Sequence, residues 1–208
     1  PYTTTATISK KELTVSGIDA LDREYDGTTV AELGSEYSLE GIVVIDGVEE
    51  TVTLDTTDSS TWKGSFSDAD AGDEPKTVTV TDLEPTGEDG GNYTVAPYTT
   101  EAMIEKKELT ASGIDAQDRE YNGTTVAELG GEYSLEGMVV IDGVEETVTL
   151  DSSTWVGTFS DAAVGDGKTV TVTELIPDGQ DAENYTVAPY TTQADIDPKE
   201  LTVSGIDA

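Results

Sequence analysis

The sequence predicts an all-β protein: two tandem antiparallel β-sandwich repeats of immunoglobulin-like architecture, arranged end to end with almost no helix. Three observations carry that expectation. Apolar and polar residues alternate in short runs along most of the chain, the period of a half-buried strand. Asp-Gly and Asn-Gly turns punctuate those runs, and the strands recur at roughly ten-residue spacing. A stretch running from Pro-Tyr-Thr-Thr through Lys-Glu-Leu-Thr to Gly-Ile-Asp-Ala occurs three times, beginning at Pro1, Pro97 and Pro189.

The repeat sets the domain plan. Residues 1–10 read as the end of a preceding repeat, 11–106 as repeat one, 107–198 as repeat two and 199–208 as the start of a third, as expected of a stretch of a tandem array. The period is 96 residues from Lys11 to Lys107 and 92 from Lys107 to Lys199. The difference falls in two polar segments. Thr56-Thr57-Asp58-Ser59-Ser60 stands where repeat two has Ser152-Ser153, and Asp73-Glu74-Pro75-Lys76 where it has Asp166-Gly167-Lys168. Loops absorb length changes while strands keep phase, so both segments read as loops.

Taken in order, Leu13 and Val15 open the unit on an alternating face. Thr29-Val30-Ala31-Glu32 has the spacing of a capping box with Gly34 as a stop, and reads equally well as an edge strand. Tyr37, Leu39, Gly41, Val43 and Ile45 share one face of a longer strand, and Asp46-Gly47 predicts a two-residue type I′ hairpin turn. The return strand pairs Val52 with Leu54. Trp62, Gly64 and Phe66 form the next face, then Val78 and Val80, then Tyr93 and Val95. Ala6 and Ile8 mark the register of the repeated closing strand. About seven short strands per unit suit a sandwich.

Composition excludes several functions. With 44 acidic and 10 basic residues the net charge is −34, which leaves no basic surface for a nucleic acid. There is no cysteine and no histidine, which removes disulfides, thiolate chemistry, the commonest general base and Ser-His-Asp catalysis. No apolar run reaches membrane-spanning length. The glycines sit in β-turn contexts rather than between a strand and a helix, so no phosphate-cradling loop is present. A self-repelling surface of this kind predicts a monomer.

The most distinctive local motif is Tyr25-Asp26-Gly27-Thr28-Thr29, repeated as Tyr121-Asn122-Gly123-Thr124-Thr125. Asp-Gly and Asn-Gly supply a tight turn, and the tyrosine reads as an anchor onto the core. The Asp-to-Asn exchange argues against a role that needs charge. With Arg23-Glu24 ahead of it, Gly64-Ser65-Phe66-Ser67-Asp68, the run Gly165 to Thr173, the run Asp181 to Val187, and Pro198-Lys199-Glu200-Leu201-Thr202-Val203, the chain resembles the YDG/MBG-type tandem repeats of bacterial cell-surface proteins and adhesins. The resemblance spans essentially the whole chain. It implies an extracellular all-β module, at the cell surface or secreted, without catalytic activity and without catalytic residues to carry over.

Acidic clusters supply the candidate metal ligands. Asp68, Asp70 and Asp73 alternate in one loop, while Asp19 and Asp22 crowd the start of the first unit, with Asp115 and Asp118 their equivalents in the second. Calcium takes six to eight oxygen ligands, and such loops offer carboxylates and carbonyls, although neither cluster follows an EF-hand pattern. No other cofactor is suggested. Lys76 with Asn92, and Lys168 with Asn184, are candidates for a Lys-to-Asn or Lys-to-Asp crosslink, each pair occurring once per repeat. Asn92, Asn122 and Asn184 also open glycosylation sequons.

Two functions compete on these grounds. The first is a non-catalytic stalk or spacer whose partners are neighbouring repeats of the same chain. The second is a binding module for a glycan or host protein, for which Tyr2, Tyr98, Tyr190, Tyr37 and Tyr133 are the aromatic candidates.

Overall fold

A computed structural model describes residues 2–56 and 62–205. Thr57 to Thr61, most of the longer loop of repeat one, and the end of the third motif copy from Ile206 lie outside the described residues, as does Pro1. The chain divides into two compact units, Pro1–Glu105 and Lys106–Ala208. The fold is all-β, and among the described residues no helix is long and apolar enough to cross a membrane.

In the first unit the strands are β1 (Lys11–Ser16), β2 (Arg23–Glu24), β3 (Val30–Ala31), β4 (Ser38–Glu40), β5 (Val44–Ile45), β6 (Val48–Glu49) and β7 (Thr53–Leu54). They continue as β8 (Lys63–Phe66), β9 (Lys76–Thr81), β10 (Pro85–Thr86), β11 (Tyr93–Val95), β12 (Tyr98–Ala102) and β13 (Ile104–Glu105). The second unit repeats the order with β14 (Lys107–Ser112), β15 (Asp115–Ala116), β16 (Arg119–Glu120), β17 (Val126–Ala127), β18 (Leu129–Gly130), β19 (Ser134–Glu136) and β20 (Val140–Ile141). It closes with β21 (Val144–Glu145), β22 (Thr149–Leu150), β23 (Val156–Phe159), β24 (Gly165–Thr173), β25 (Pro177–Asp178), β26 (Tyr185–Val187) and β27 (Tyr190–Asp197). Single 3-10 turns at Gly90–Asn92 and Ala182–Asn184 precede β11 and β26.

Two sheets organise each unit. In the first, one has the order β11-β1-β4 and the other β12-β9-β8-β3. Val15 of the first sheet and Val80 of the second meet in one core with Ile18, Leu54, Trp62 and Leu83. Leu13, Val52 and Tyr93 form a second cluster. The alternation read from the sequence is the cause. Leu13, Val15, Val78, Val80, Trp62 and Phe66 are all buried, while Thr77 and Thr79, alternating with the valines, are exposed. Burying a side chain of this size contributes about 1.5–3 kcal/mol.

Three features refine the expected antiparallel sandwich of continuous strands. First, β1 runs parallel to β11 and β2 parallel to β13, and the second unit does the same with β14 and β26, β16 and β27. The remaining pairs are antiparallel, including β1 with β4 and β9 with both β8 and β12. Second, the long strand expected from Tyr37 to Ile45 is broken at Gly41, whose φ of +97° no strand residue adopts. Past the break, Ile42 and Val43 both pack on the core and Ile45 is exposed, so alternation stops there. Third, Val30–Ala31 is strand rather than helix, at the edge of the four-stranded sheet.

The hairpin turn takes the predicted form, with φ of +54° at Asp46 and +82° at Gly47, and +52° and +82° at Asp142 and Gly143. Ala102 and Ile104 are buried in the closing strand of the first unit, as are Ala194 and Ile196 in the second. The outer copies of the motif form no strand in residues 2–10 and 198–205, and Ile8 and Leu201 are exposed there.

Candidate functional site

The Tyr-Asp-Gly-Thr segment is a locked turn. Asp26 Oδ1 accepts from the backbone N–H of Thr28 at 2.8 Å and from its hydroxyl at 2.8 Å, while Gly27 supplies the φ of +76°. Asn122 Oδ1 repeats this on Thr124 at 2.9 and 2.8 Å, with Gly123 at +79°. An amide oxygen serves as well as a carboxylate, which is why the exchange is tolerated.

Arg23 holds that turn in place, and its role was not legible locally. Its guanidinium lies 5.2 Å from the Phe66 ring centroid, donates to the carbonyls of Glu24 and Thr28, and pairs with Asp26 at 2.5 Å. Arg119 sits 5.0 Å from the Phe159 centroid and donates to the carbonyls of Glu120 at 3.1 Å and Thr124 at 2.5 Å. The only available signal was an Arg three residues before the Asx position and a Phe some forty residues later, in both repeats. Burial raises the Asp26 carboxyl, but the Thr28 hydrogen bonds and the Arg23 guanidinium outweigh it and hold the group below the usual carboxylate range. Tyr25 is buried, as its anchoring reading requires, whereas Tyr121 is 43% exposed.

The acidic candidates do separate structural work. Asp22 Oδ1 accepts from the N–H of Met103 at 2.7 Å, and Asp118 Oδ1 from the N–H of Asp195 at 2.7 Å, stitching the closing strand to the turn before β2 or β16. The Asp19 carbonyl accepts from Gly34 N–H at 2.8 Å, and Asp115 lies in β15, opposite Gly130. Asp68 pairs with Lys76 at 2.5 Å and accepts from Asp70 N–H at 3.2 Å. Asp161 pairs with Lys168 at 2.6 Å and accepts from Ala163 N–H at 2.8 Å, so the position of Asp70 contributes its backbone rather than its carboxylate. Asp73 is exposed. Among the described residues no three acidic side chains converge as metal ligands.

The lysine hydrogen bonds, joined by Ser67 and Asp70 N–H for Asp68 and by Ala163 N–H for Asp161, hold both carboxyls below their ordinary range. The crosslink candidates are not brought together. Lys76 and Lys168 face Ala102 and Ala194 across the larger sheet of each unit, whereas Asn92, exposed, and Asn184, buried, precede β11 and β26 in the other sheet. A Lys-to-Asp amide needs an enclosed apolar setting. Asp68 and Asp161 are 47% and 60% exposed, and each is an ion pair.

The best-buried polar arrangement is a tyrosine clamp. Tyr93 accepts from Val43 N–H at 3.0 Å and donates to Glu50; Tyr185 accepts from Val139 N–H at 2.9 Å and donates to Glu146. Burial, and then the neighbouring glutamate, push both phenols up. The aromatic candidates for binding are mostly structural. Tyr37 and Tyr133 accept from Leu54 and Leu150 N–H at 2.8 Å and meet Trp62 and Trp155 edge-on at 5.7 and 5.6 Å. Tyr98 and Tyr190 pack half-buried on the cores, and Tyr2 is exposed.

A family model described as the YDG domain matches residues 9–101 and again 105–194. No curated protein and no solved structure matches the chain.

Proposed function

The chain belongs to the YDG domain family, and from that premise we propose that its two consecutive copies are non-catalytic spacer repeats of a bacterial surface protein, adhesin-like and extracellular, that hold a distal functional region away from the cell. The observation that carries this reading is the pairing of the terminal strands in each unit. The first strand lies parallel to β11 and the last parallel to β2. Tension along the chain enters β1 and leaves β13, so it pulls parallel neighbours past one another. The hydrogen bonds between parallel strands then bear load as a row and yield together rather than one at a time. Asp22 and Asp118 add a side-chain bond across the same closing strand. Only Lys106 separates β13 from β14, which leaves little slack between load-bearing elements.

Single-molecule stretching of the two-repeat chain tests this. The expected record is two abrupt unfolding events of similar length, one per unit, with Asp22→Ala lowering the force of one of them. Gradual extension at low force, or an unchanged force in that variant, overturns the reading.

A further inference from the structure

The second unit carries Asn122-Gly123 where the first carries Asp26-Gly27, and no other asparagine of the chain is followed by glycine. Tyr121 to Thr124 are all exposed. An asparagine before a glycine can react with its own backbone: the glycine nitrogen attacks the side-chain amide carbon and ammonia leaves. Three features of this turn favour that attack. The Thr124 N–H and hydroxyl donate to Asn122 Oδ1 at 2.9 and 2.8 Å, so two donors already sit on the oxygen that becomes an oxyanion when Cγ is attacked. The ring closed by the Thr124 N–H contains both Asn122 Cγ and Gly123 N, which keeps the reacting pair together. Gly123 N–H donates no hydrogen bond among the described residues, and a Cβ on Gly123 would meet only the Tyr121 hydroxyl, at 3.9 Å, so the nitrogen is uncommitted and uncrowded.

The other two asparagines lack these features. Tyr93 N–H donates to the Gly90 carbonyl and Tyr185 N–H to that of Ala182, so the nitrogen after Asn92 and after Asn184 is engaged. Asn184 is also buried. The first unit shows how the product fits. Asp26 accepts the same two bonds from Thr28 and pairs with Arg23 at 2.5 Å. Arg119 holds the place of Arg23 in the second unit, stacked on Phe159, where residue 122 is a neutral amide.

We propose that Asn122 is a self-modification site that converts to aspartate within the folded chain and needs only water. Gly123 N gives its proton to solvent hydroxide, and its electron pair forms the bond to Cγ. The bond from Cγ to the side-chain nitrogen then breaks, and that nitrogen takes a proton from water and leaves as ammonia. Water opens the succinimide that remains and restores the Gly123 N–H. The net change is amide plus water to carboxylate plus ammonium. Water entering at Cγ gives aspartate, and water entering at the main-chain carbonyl gives isoaspartate. The Thr124 donors polarise the Cγ carbonyl, and aspartate keeps the turn and gains a charged partner in Arg119, so the fold directs opening to aspartate. The inference goes beyond the spacer reading and does not depend on it.

Peptide mapping of the whole chain tests it. The protein is incubated at neutral pH in oxygen-18 water, folded and in guanidinium chloride, and digested. Fragmentation that tells aspartate from isoaspartate then follows all three asparagines together. In the folded chain Asn122 should react faster than in denaturant, take up the heavy oxygen and yield mainly aspartate, while Asn92 and Asn184 stay intact. An enclosed oxyanion donor is worth about 10²–10³ in rate and an exposed one less, so Thr124→Val should slow the folded-state reaction by about tenfold. The same variant should leave the rate in denaturant unchanged. An Asn122 that reacts no faster folded than in denaturant, or that yields mainly isoaspartate, overturns the proposal whatever the variant does. A folded Thr124→Val chain that reacts as fast as the parent overturns it as well.

Discussion

The family-defining turn shows how little of a conspicuous motif is chemistry. Asp26 and Asn122 differ by a full charge, yet each oxygen accepts the same two hydrogen bonds from a threonine two residues on. What Asp26 adds is an ion pair with Arg23, and Asp26 is 55% exposed, so solvent screens it. Asp26→Asn should therefore change the stability of the first unit by no more than about 1 kcal/mol. Asp26→Ala removes the acceptor from two donors and should cost about 1–2 kcal/mol, as loss of a capping side chain does. Urea denaturation followed by Trp62 fluorescence in a Trp155→Phe background separates the two. Equal losses for both variants would place the importance of the residue in its charge. The arginine is the less visible partner, since its stack on Phe66 and its carbonyl contacts are tertiary and leave no local trace.

At the scale of elements, one substitution between repeats alters a strand pair. In the second unit β15 and β18 form a ladder, Asp115 opposite Gly130 and Ala116 opposite Leu129; in the first, only the isolated bridge Ala20–Leu33 remains. The cause is Gly131, where repeat one has Ser35. A Cβ on Gly131 would lie 2.5 Å from the Gly113 carbonyl oxygen, and one on Gly113 would lie 2.4 Å from that of Glu132. Gly17, the counterpart of Gly113, has the same φ within a degree, but a Cβ there would meet only Tyr37 Cα, at an ordinary contact distance of 3.9 Å. Gly17→Ala should thus cost only the left-handed backbone strain of about 1–2 kcal/mol. Gly113→Ala should cost about 1–3 kcal/mol more, because the neighbouring backbone must move. Equal midpoint shifts in chemical denaturation of the two variants would refute this account.

The same comparison marks the limit of the sequence. Burial of Leu13, Val15, Val78 and Val80 was legible because period-2 alternation encodes it, and Asp46-Gly47 because both turn positions require positive φ. The break at Gly41 was hidden, since a glycine satisfies either face of an alternating pattern. The parallel pairings join residues about eighty positions apart, as in Lys11 with Tyr93, and nothing local records them. The acidic candidates were legible only as charge; their partners, the N–H groups of Met103 and Asp195, lie nearly as far away in the chain.

For the whole molecule the dominant quantity is the charge. Near-identical neighbouring repeats are prone to mispair during folding, and a net charge of −34 opposes that association. The same repulsion works against each compact unit, since the unfolded chain spreads its carboxylates farther apart. Salt should therefore stabilise the protein. Raising ionic strength to about 0.15 M shortens the screening length to about 8 Å. A gain of about 1 kcal/mol in each unit would raise its thermal midpoint by roughly 4–8 °C. Calcium separates screening from ligation. If Asp19, Asp22 and Asp68 act only as charged or hydrogen-bonded surface groups, calcium chloride at matched ionic strength should match sodium chloride apart from the modest advantage of a divalent ion, and chelator should reverse only that part. A specific site would instead add stability that climbs with the logarithm of free calcium above its dissociation constant. Such a climb, abolished by Asp22→Asn or Asp68→Asn, would require ligands that converge from groups now engaged elsewhere, Asp22 with Met103 N–H and Asp68 with Lys76. Those bonds would have to be surrendered for the ion, so the salt response should show no cation-specific part beyond that modest divalent advantage.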